Sequence, residues 1–268
     1  MTFGRTIRGR LRRSTVTRLL RLFTEGRYEE AEAEARSLAA AAARGRWRRS
    51  PGTVWVARAM AATAAVAHGR GAEVLPELEA VIAEWEHIDE PEGRALLMLV
   101  RRNRAAVLDE QGRHEEAEAE ALDILRTVGR LAHHLRVGDL ELSVLACLAR
   151  ALCGQGRHEE AEAIARGNLP YANGPTVASL HQVLVHSLNG QGRYEEALTE
   201  ATRPVAPGGR HHSGVPALAT AEALLGLGRT GEAEATARRA LSDCERWLHP
   251  AHPRIAQAHA LLTRITGG

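Results

Sequence analysis

The stretch QGRHEEAEA occupies residues 111–119 and occurs again, letter for letter, at residues 155–163. Four further copies follow the same pattern: EGRYEEAEA at 25–33, HGRGAEVLP at 68–76, QGRYEEALT at 191–199 and LGRTGEAEA at 227–235. Self-similarity at such a period is the signature of a repeat architecture, in which one supersecondary unit stacks on copies of itself. The sequence therefore predicts six repeats.

Each copy predicts a tight turn between two helices. A mostly apolar segment, such as residues 95–108, precedes the Gly-Arg pair, and glycine readily takes the left-handed conformation that ends a helix. The two glutamates that follow favour the first turn of a new helix. Alanines four residues apart, such as Ala117 and Ala121, share one face and let a second helix approach closely. The anchor glycines of the six copies are Gly26, Gly69, Gly112, Gly156, Gly192 and Gly228.

Prolines mark the starts of the first helices of most repeats, since proline is well placed at the first helical position. They are Pro51, Pro91, Pro175, Pro216 and Pro253. The last of them predicts a final helix at about residues 253–265, which would cap the apolar edge of the sixth repeat.

Composition excludes several other classes of protein. Aromatic residues make up only 3% of the 268 residues, which disfavours a β-sandwich or a β-barrel. No apolar run reaches the ~20 residues that a membrane-spanning helix needs. The three cysteines are scattered without a CxxC motif, which predicts a cytoplasmic protein without disulfides.

Catalytic and metal-binding motifs are missing from the sequence. It contains no GxSxG, P-loop or HExxH motif, and its glycines follow the repeat period rather than a phosphate-binding loop. The histidines lack the spacing of metal ligands. His114 and His158 stand where other copies carry an aromatic residue, and we expect them to fill contacts between helices. The sequence thus predicts a non-enzymatic protein without a cofactor or metal.

The turn residues resemble those of the tetratricopeptide repeat family, which places glycine, an aromatic residue, glutamate and alanine around the turn. Here these are Gly26, Tyr28, Glu30 and Ala31 in the first copy, with Gly192, Tyr194, Glu196 and Ala197 in the fifth. The long units and the His-Pro segment at 249–253 resemble the kinesin-light-chain-like variant common in bacterial regulators. The resemblance implies a right-handed all-α solenoid of about six repeats over residues 14–268. Residues 1–13 would form a basic, disordered arm.

The resemblance also implies a concave groove, lined by the first helices, that binds a protein or peptide. Counting back from each anchor glycine places one stripe of each first helix in that groove. The candidate binding residues are Val16, Leu20, Phe23, Val66, Arg102, Asn103, Asp109, Arg150, Gln182, His186, Asn189 and Glu222. We expect the apolar members to bury part of a ligand and the polar members to orient the rest, with Asn103 at a position where family members hold the ligand backbone.

Two alternative functions stay open. The first is a peptide-sensing regulator that controls a transcription factor or an enzyme. The second is binding to an anionic surface, nucleic acid or membrane, through residues 1–24, which carry seven arginines and no acidic residue. Apolar residues at the solenoid ends also allow a homo-oligomer.

Overall fold

The computed structural model describes residues 13–46, 51–135, 137–203 and 213–267, and in these ranges every regular element is helical. The α-helices are α1 Arg13–Thr24, α2 Tyr28–Ala41, α3 Pro51–His68, α4 Gly71–Trp85, α5 Pro91–Glu110, α6 His114–Leu131, α7 Gly138–Gly154, α8 His158–Asn168, α9 Pro175–Gly190, α10 Tyr194–Ala201, α11 Val215–Gly226, α12 Thr230–Trp247 and α13 Pro253–Thr266. Ala42–Arg46 forms a π-helical turn and Leu169–Tyr171 a 3-10 turn. The predicted all-α repeat fold is confirmed.

Glycine turns join the two helices of each pair as the sequence predicts. All six anchor glycines have positive φ, between +69° and +92°. At Gly156 the amide donates to the Cys153 carbonyl at 3.0 Å, and the Arg157 amide donates to the Leu152 carbonyl at 2.9 Å. These two bonds satisfy the last carbonyls of α7, which would otherwise lack partners. Each helix end is therefore closed by the glycine that the repeat supplies.

The final helix, α13, begins and ends close to its predicted bounds. His252 caps its start, since the Nδ1 atom accepts from the Arg254 amide at 3.1 Å. Leu261 and Ile265 are buried against α11 and α12, in a cluster that includes Leu218 and Leu224. Burying each such side chain contributes about 1.5–3 kcal/mol. The helix therefore covers the apolar edge of the last repeat.

The chain forms two compact units. Unit 1 contains the residues up to 107 together with 120–141, and unit 2 contains 108–119 together with the residues from 142 onward. Part of the core of unit 1 is a cluster of Leu22, Ala31 and Ala64. None of the described helices is long and apolar enough to cross a bilayer.

Within unit 2, the third, fourth and fifth repeats carry a ring two residues after the anchor glycine, and each of these rings packs on a glycine of the next repeat. A Cβ atom built on Gly154 would lie 2.3 Å from the His114 ring, and one on Gly190 would lie 2.3 Å from the His158 ring. Tyr194 packs on Gly226 in the same way. The expectation that His114 and His158 fill contacts between helices is confirmed.

Residues 1–12 lie outside the described part of the chain, and so do residues 204–212. The basic arm and its boundary at residue 13 therefore stay predictions. The side chains of Val16 and Leu20 also lie outside the described part, although α1 includes both residues.

Candidate functional site

The predicted apolar residues of unit 1 that the structure describes are half-buried. Phe23 packs against the cluster of Leu22, Ala31 and Ala64. Its ring also meets Tyr28 edge-on, with the centroids 6.0 Å apart. Phe23 thus contributes to the core of the first helix pair. As ligand contacts, Phe23 and the half-buried Val66 stay predictions.

Asn103, expected to hold a ligand backbone, is bonded inside unit 1. Only 1% of the residue is exposed. Its Nδ2 atom donates to Thr63 Oγ1 at 2.8 Å, and its Oδ1 atom accepts from Arg102 Nη1 at 3.2 Å. Thr63 in turn donates to the Ala59 carbonyl at 2.7 Å. The amide therefore links the first helices α3 and α5, and a ligand would have to replace these bonds.

Unit 2 brings two predicted residues, Asp109 and Arg150, into direct contact. Asp109 lies near the end of α5 and is 8% exposed. Arg150 Nε donates to Asp109 Oδ2 at 2.5 Å, and His114 Nδ1 lies 2.8 Å from the other carboxylate oxygen. Burial opposes the charge on Arg150, but the groups around it, the Asp109 carboxylate first among them, together outweigh burial and raise the arginine pKa. The carboxylate therefore holds the guanidinium in one orientation.

One nitrogen of the Arg150 guanidinium makes no hydrogen bond to any residue that the structure describes. Arg150 Nη2 is buried and has no hydrogen-bond partner among the described residues. A buried donor without a partner costs about 1–3 kcal/mol, so such groups are rare in proteins. The arrangement leaves a fixed, cationic donor unsatisfied by the described part of the protein.

Asn189, on α9, the first helix of the next repeat, carries a buried acceptor that makes no hydrogen bond within the described ranges. Asn189 is 9% exposed, and its Nδ2 atom donates to the Ala219 carbonyl at 3.0 Å. Its Oδ1 atom is buried and has no partner in the described part of the chain. The NH2 group of the Asn189 side chain is therefore fixed by a hydrogen bond, whereas its carbonyl oxygen has none from the described residues.

His186 and Glu222 form a more exposed ion pair between α9 and α11. His186 Nδ1 lies 3.8 Å from Glu222 Oε2, and 49% of the histidine side chain is exposed. The Glu222 carboxylate raises the pKa of His186. Gln182, on the same helix as His186, is half-buried.

We call Asp109, Arg150, His186, Asn189 and Glu222 the polar face of unit 2. Its members come from α5, α7, α9 and α11, the first helices of consecutive pairs, and they include both acidic and basic side chains. The face can donate and accept hydrogen bonds and can bind charge. These five were all predicted from the stripe of the repeat.

The thiol nearest this face is held in its protonated form. Ser187 donates its hydroxyl proton to the Val183 carbonyl at 2.8 Å, so the Cys153 thiol, 3.2 Å away, donates to Ser187. Burial raises the pKa of Cys153 to about 11. A protonated, buried thiol is a poor nucleophile.

Comparison with known proteins matches one of the observed helix pairs to a family model. The model of the tetratricopeptide repeat matches residues 142–169, which contain most of α7 and all of α8. This pair is therefore similar to a tetratricopeptide repeat. The crystal structure of BtubC (BKLC) from P. vanneervenii is similar to 74% of this chain and 80% of that chain, with 17% sequence identity and a TM-score of 0.43. None of the curated proteins matches this chain.

Two residues that sequence reasoning did not select as site residues lie beside the site. Ser187 fixes the Cys153 thiol, and His158 packs beside His186. A signal for His158 was present in the sequence, since Gly190 stands two residues before an anchor glycine.

The cytoplasmic location, the oligomeric state and the two alternative functions stay predictions.

Proposed function

We propose that this helical repeat protein is a non-enzymatic scaffold that binds an extended segment of a protein partner on the polar face of unit 2. The observation that carries the proposal is the pair of unsatisfied buried groups on neighbouring repeats, the donor Arg150 Nη2 and the acceptor Asn189 Oδ1. Every peptide unit offers one carbonyl and one N–H group, so a polypeptide supplies the complement of both. Stacked helix pairs commonly use such extended surfaces for binding.

The energetics favour a ligand that satisfies both groups. Each unpaired polar group costs about 1–3 kcal/mol in the free protein, and a ligand that pairs it recovers that cost. Both groups are fixed before binding, Arg150 by Asp109 and Asn189 by the Ala219 carbonyl. Little side-chain entropy is therefore lost when the ligand binds. The more exposed His186–Glu222 ion pair adds a site that can interact with a charged group of the ligand.

A peptide-display selection against the full chain tests the proposal. The selected peptide is labelled and titrated against the wild type and two variants. Arg150→Lys keeps a cation beside Asp109 but removes the spare Nη2 donor. Asn189→Leu removes the spare acceptor, and leucine is the natural residue at the equivalent position of the sixth repeat, Leu225. We expect each variant to weaken binding by about tenfold, which corresponds to ~1.4 kcal/mol.

Matched controls are available on exposed surfaces. Arg238→Lys changes an exposed arginine of α12, and Asn173→Leu changes an exposed asparagine before α9. Both should bind the selected peptide as the wild type does. A selection that yields no binding peptide, or a peptide that binds both polar-face variants undiminished, would overturn the proposal.

A further inference from the structure

Two imidazole rings face each other where the fourth and fifth repeats meet. His158 is the first residue of α8 and His186 lies on α9, and α8 packs against α9. Their ring centroids are 6.2 Å apart, with the ring planes at 78°. The His158 ring also rests on Gly190, where an added Cβ atom would lie 2.3 Å from it. We call this arrangement the histidine joint.

The equivalent contacts of unit 2 lack a second imidazole. His114 packs on Gly154 and Tyr194 on Gly226. The positions equivalent to His186, six residues before the anchor glycine, are Arg150 and Glu222 in the neighbouring repeats. Only the fourth and fifth repeats, among those of unit 2 that the structure describes, place two titratable rings together.

The surroundings favour a proton on His186 and disfavour one on His158. His186 faces Glu222 on α11 and Asp109 on α5, and Glu222 raises its pKa. His158 Nδ1 is buried and has no hydrogen-bond partner among the described residues. Burial, and after it the charge on His186, lower the pKa of His158. Acidification therefore protonates His186 first.

The other groups near α9 do not neutralise a second charge. His181, on the same helix, faces Glu200 and Arg203 rather than the joint. The 3-10 turn Leu169–Tyr171, which also packs against α8 and α9, has no charged side chain. A proton on His158 would thus create two adjacent cations, and Asp109 and Glu222 act on His186 but not on His158.

We propose that the histidine joint is an acid-sensitive latch: when both imidazoles carry a proton, the His158 ring leaves its seat on Gly190 and α8 loosens from α9. The latch is a property of the joint itself and does not depend on the proposed binding function. Because α9 also carries His186 and Asn189, opening of the latch would rearrange the polar face.

The direction of the effect follows from linkage. The folded-state pKa of His158 lies below its ordinary value of 6.5, so the neutral ring stabilises the closed joint. This stabilisation is complete above about pH 6.5 and is lost as the pH falls through the window between the two pKa values. Opening takes up one proton in that window, so its equilibrium constant rises about tenfold for each pH unit.

Hydrogen–deuterium exchange of the full chain tests the latch without any ligand. Exchange of peptides from α8 and α9 is measured between about pH 7.5 and about pH 5.5, after correction for the intrinsic pH dependence. In the wild type we expect the corrected exchange to accelerate as the pH falls below about 6.5, by at most about tenfold per unit for the uptake of one proton. His158→Tyr should abolish this acceleration, because tyrosine occupies the equivalent position in Tyr194 and packs there on Gly226. His259→Tyr, at an exposed position of α13, is the matched control and should respond as the wild type does.

Two results would overturn the latch. One is corrected exchange in the wild type that does not change with pH, and the other is acceleration that survives in His158→Tyr. If that variant fails to fold, His186→Gln decides the question. Removing the second cation should reduce the extent of opening at low pH, and an unchanged response would again overturn the proposal.

Discussion

Arg193 in the turn of the fifth repeat donates from Nη1 to Oε2 of Glu162 in the fourth repeat, at a distance of 2.7 Å. Gln191 Nε2 donates to the same oxygen, also at 2.7 Å. Glu162 lies on α8, six residues after its anchor glycine, and is mostly buried. The two donors lie on either side of the next anchor glycine, Gly192. One glutamate therefore ties consecutive repeats together.

The same link recurs one repeat earlier, where Glu118 accepts from Arg157 and Gln155, each at 2.7 Å. At the equivalent position the second and fifth repeats carry Leu75 and Leu198. A leucine cannot accept a hydrogen bond, so the sequence specifies which repeats can be linked in this way.

Replacing Glu162 by glutamine should weaken the contact between the fourth and fifth repeats. Hydrogen bonds to a charged partner contribute about 1.5–3 kcal/mol, and glutamine keeps the shape but loses the charge. We expect Glu162→Gln to lower the free energy of unfolding by about 1–2 kcal/mol, measured by urea denaturation. Glu159→Gln, at an exposed position of the same helix, is the control and should change stability by less than about 0.5 kcal/mol.

The pH dependence provides a second readout of this link. Burial opposes the charge on Glu162, but bonds from Gln191, Arg166 and Arg193 outweigh it and lower its pKa below 4.5. The stabilisation is therefore complete above pH 4.5 and lost as the pH falls through the lower, folded-state pKa. Stability of Glu162→Gln should fall less steeply in this acid range. Equal acid sensitivity of wild type and variant would contradict the link.

Because a ring packs directly on each of three helical glycines, a glycine-to-alanine change at these positions should destabilise the protein, contrary to the usual effect inside a helix. Alanine normally stabilises a helix relative to glycine by about 1 kcal/mol. At Gly226, however, the new methyl group would lie 2.4 Å from the Tyr194 ring. Overpacking of this kind costs about 1–3 kcal/mol. We expect Gly226→Ala to lower the thermal midpoint, as followed by circular dichroism.

Gly167 supplies the control for this test, because it is an exposed glycine of α8 with open space around it. Gly167→Ala should raise stability by up to about 1 kcal/mol. If both alanine variants move the thermal midpoint in the same direction, the seat at Gly226 does not exist as described.

The repeat period was enough to predict the fold because each local signal has a direct backbone consequence. The anchor glycines have the left-handed conformation that the turn requires, and the proline at 253 starts the last helix. The stripe counted back from the glycines contains both Asp109 and Arg150, which the structure brings into contact, since residues at fixed offsets from a turn lie on one helix face.

Side-chain partners could not be predicted in the same way. Asn103 stands where the family resemblance predicts a contact with the ligand backbone, yet its amide donates to Thr63, forty residues earlier. The choice depends on the distance between two helices, and periodicity carries no information on that distance. The contacts between rings and glycines could be predicted better, because Gly154, Gly190 and Gly226 each stand two residues before an anchor glycine in the sequence. The contacts with His114, His158 and Tyr194 explain those glycines.

The thiols should be unreactive in the folded protein. Cys147, Cys153 and Cys244 are all buried and free. Burial raises the pKa of Cys244 as well as that of Cys153, so little thiolate forms at neutral pH. With Ellman's reagent at about pH 8, we expect no rapid reaction in buffer and reaction of all three thiols in urea. Rapid titration of Cys153 in the native state would contradict its hydrogen bond to Ser187.

The Asp109–Arg150 pair should show strong coupling in a double-mutant cycle. Removing one partner of a fully buried pair typically costs about 3–5 kcal/mol. Because 35% of the Arg150 side chain is exposed, we expect a smaller loss of about 1–3 kcal/mol for Asp109→Leu or Arg150→Met alone. The double variant should lose much less than the sum, because apolar side chains of similar volume pack together where the pair was. Urea denaturation of the four proteins should give a coupling energy of about 1–3 kcal/mol.

An exposed pair on α12 provides the comparison for this cycle. Arg238 Nη2 lies 2.6 Å from Glu234 Oε1, one turn away, and 67% of the arginine side chain is exposed. Exposed ion pairs of this kind contribute about 0.2–1 kcal/mol. The coupling between Asp109 and Arg150 should therefore exceed that between Glu234 and Arg238. Equal couplings would mean that Asp109 does not fix the Arg150 guanidinium, and the spare Nη2 donor of the polar face would then lose its orientation.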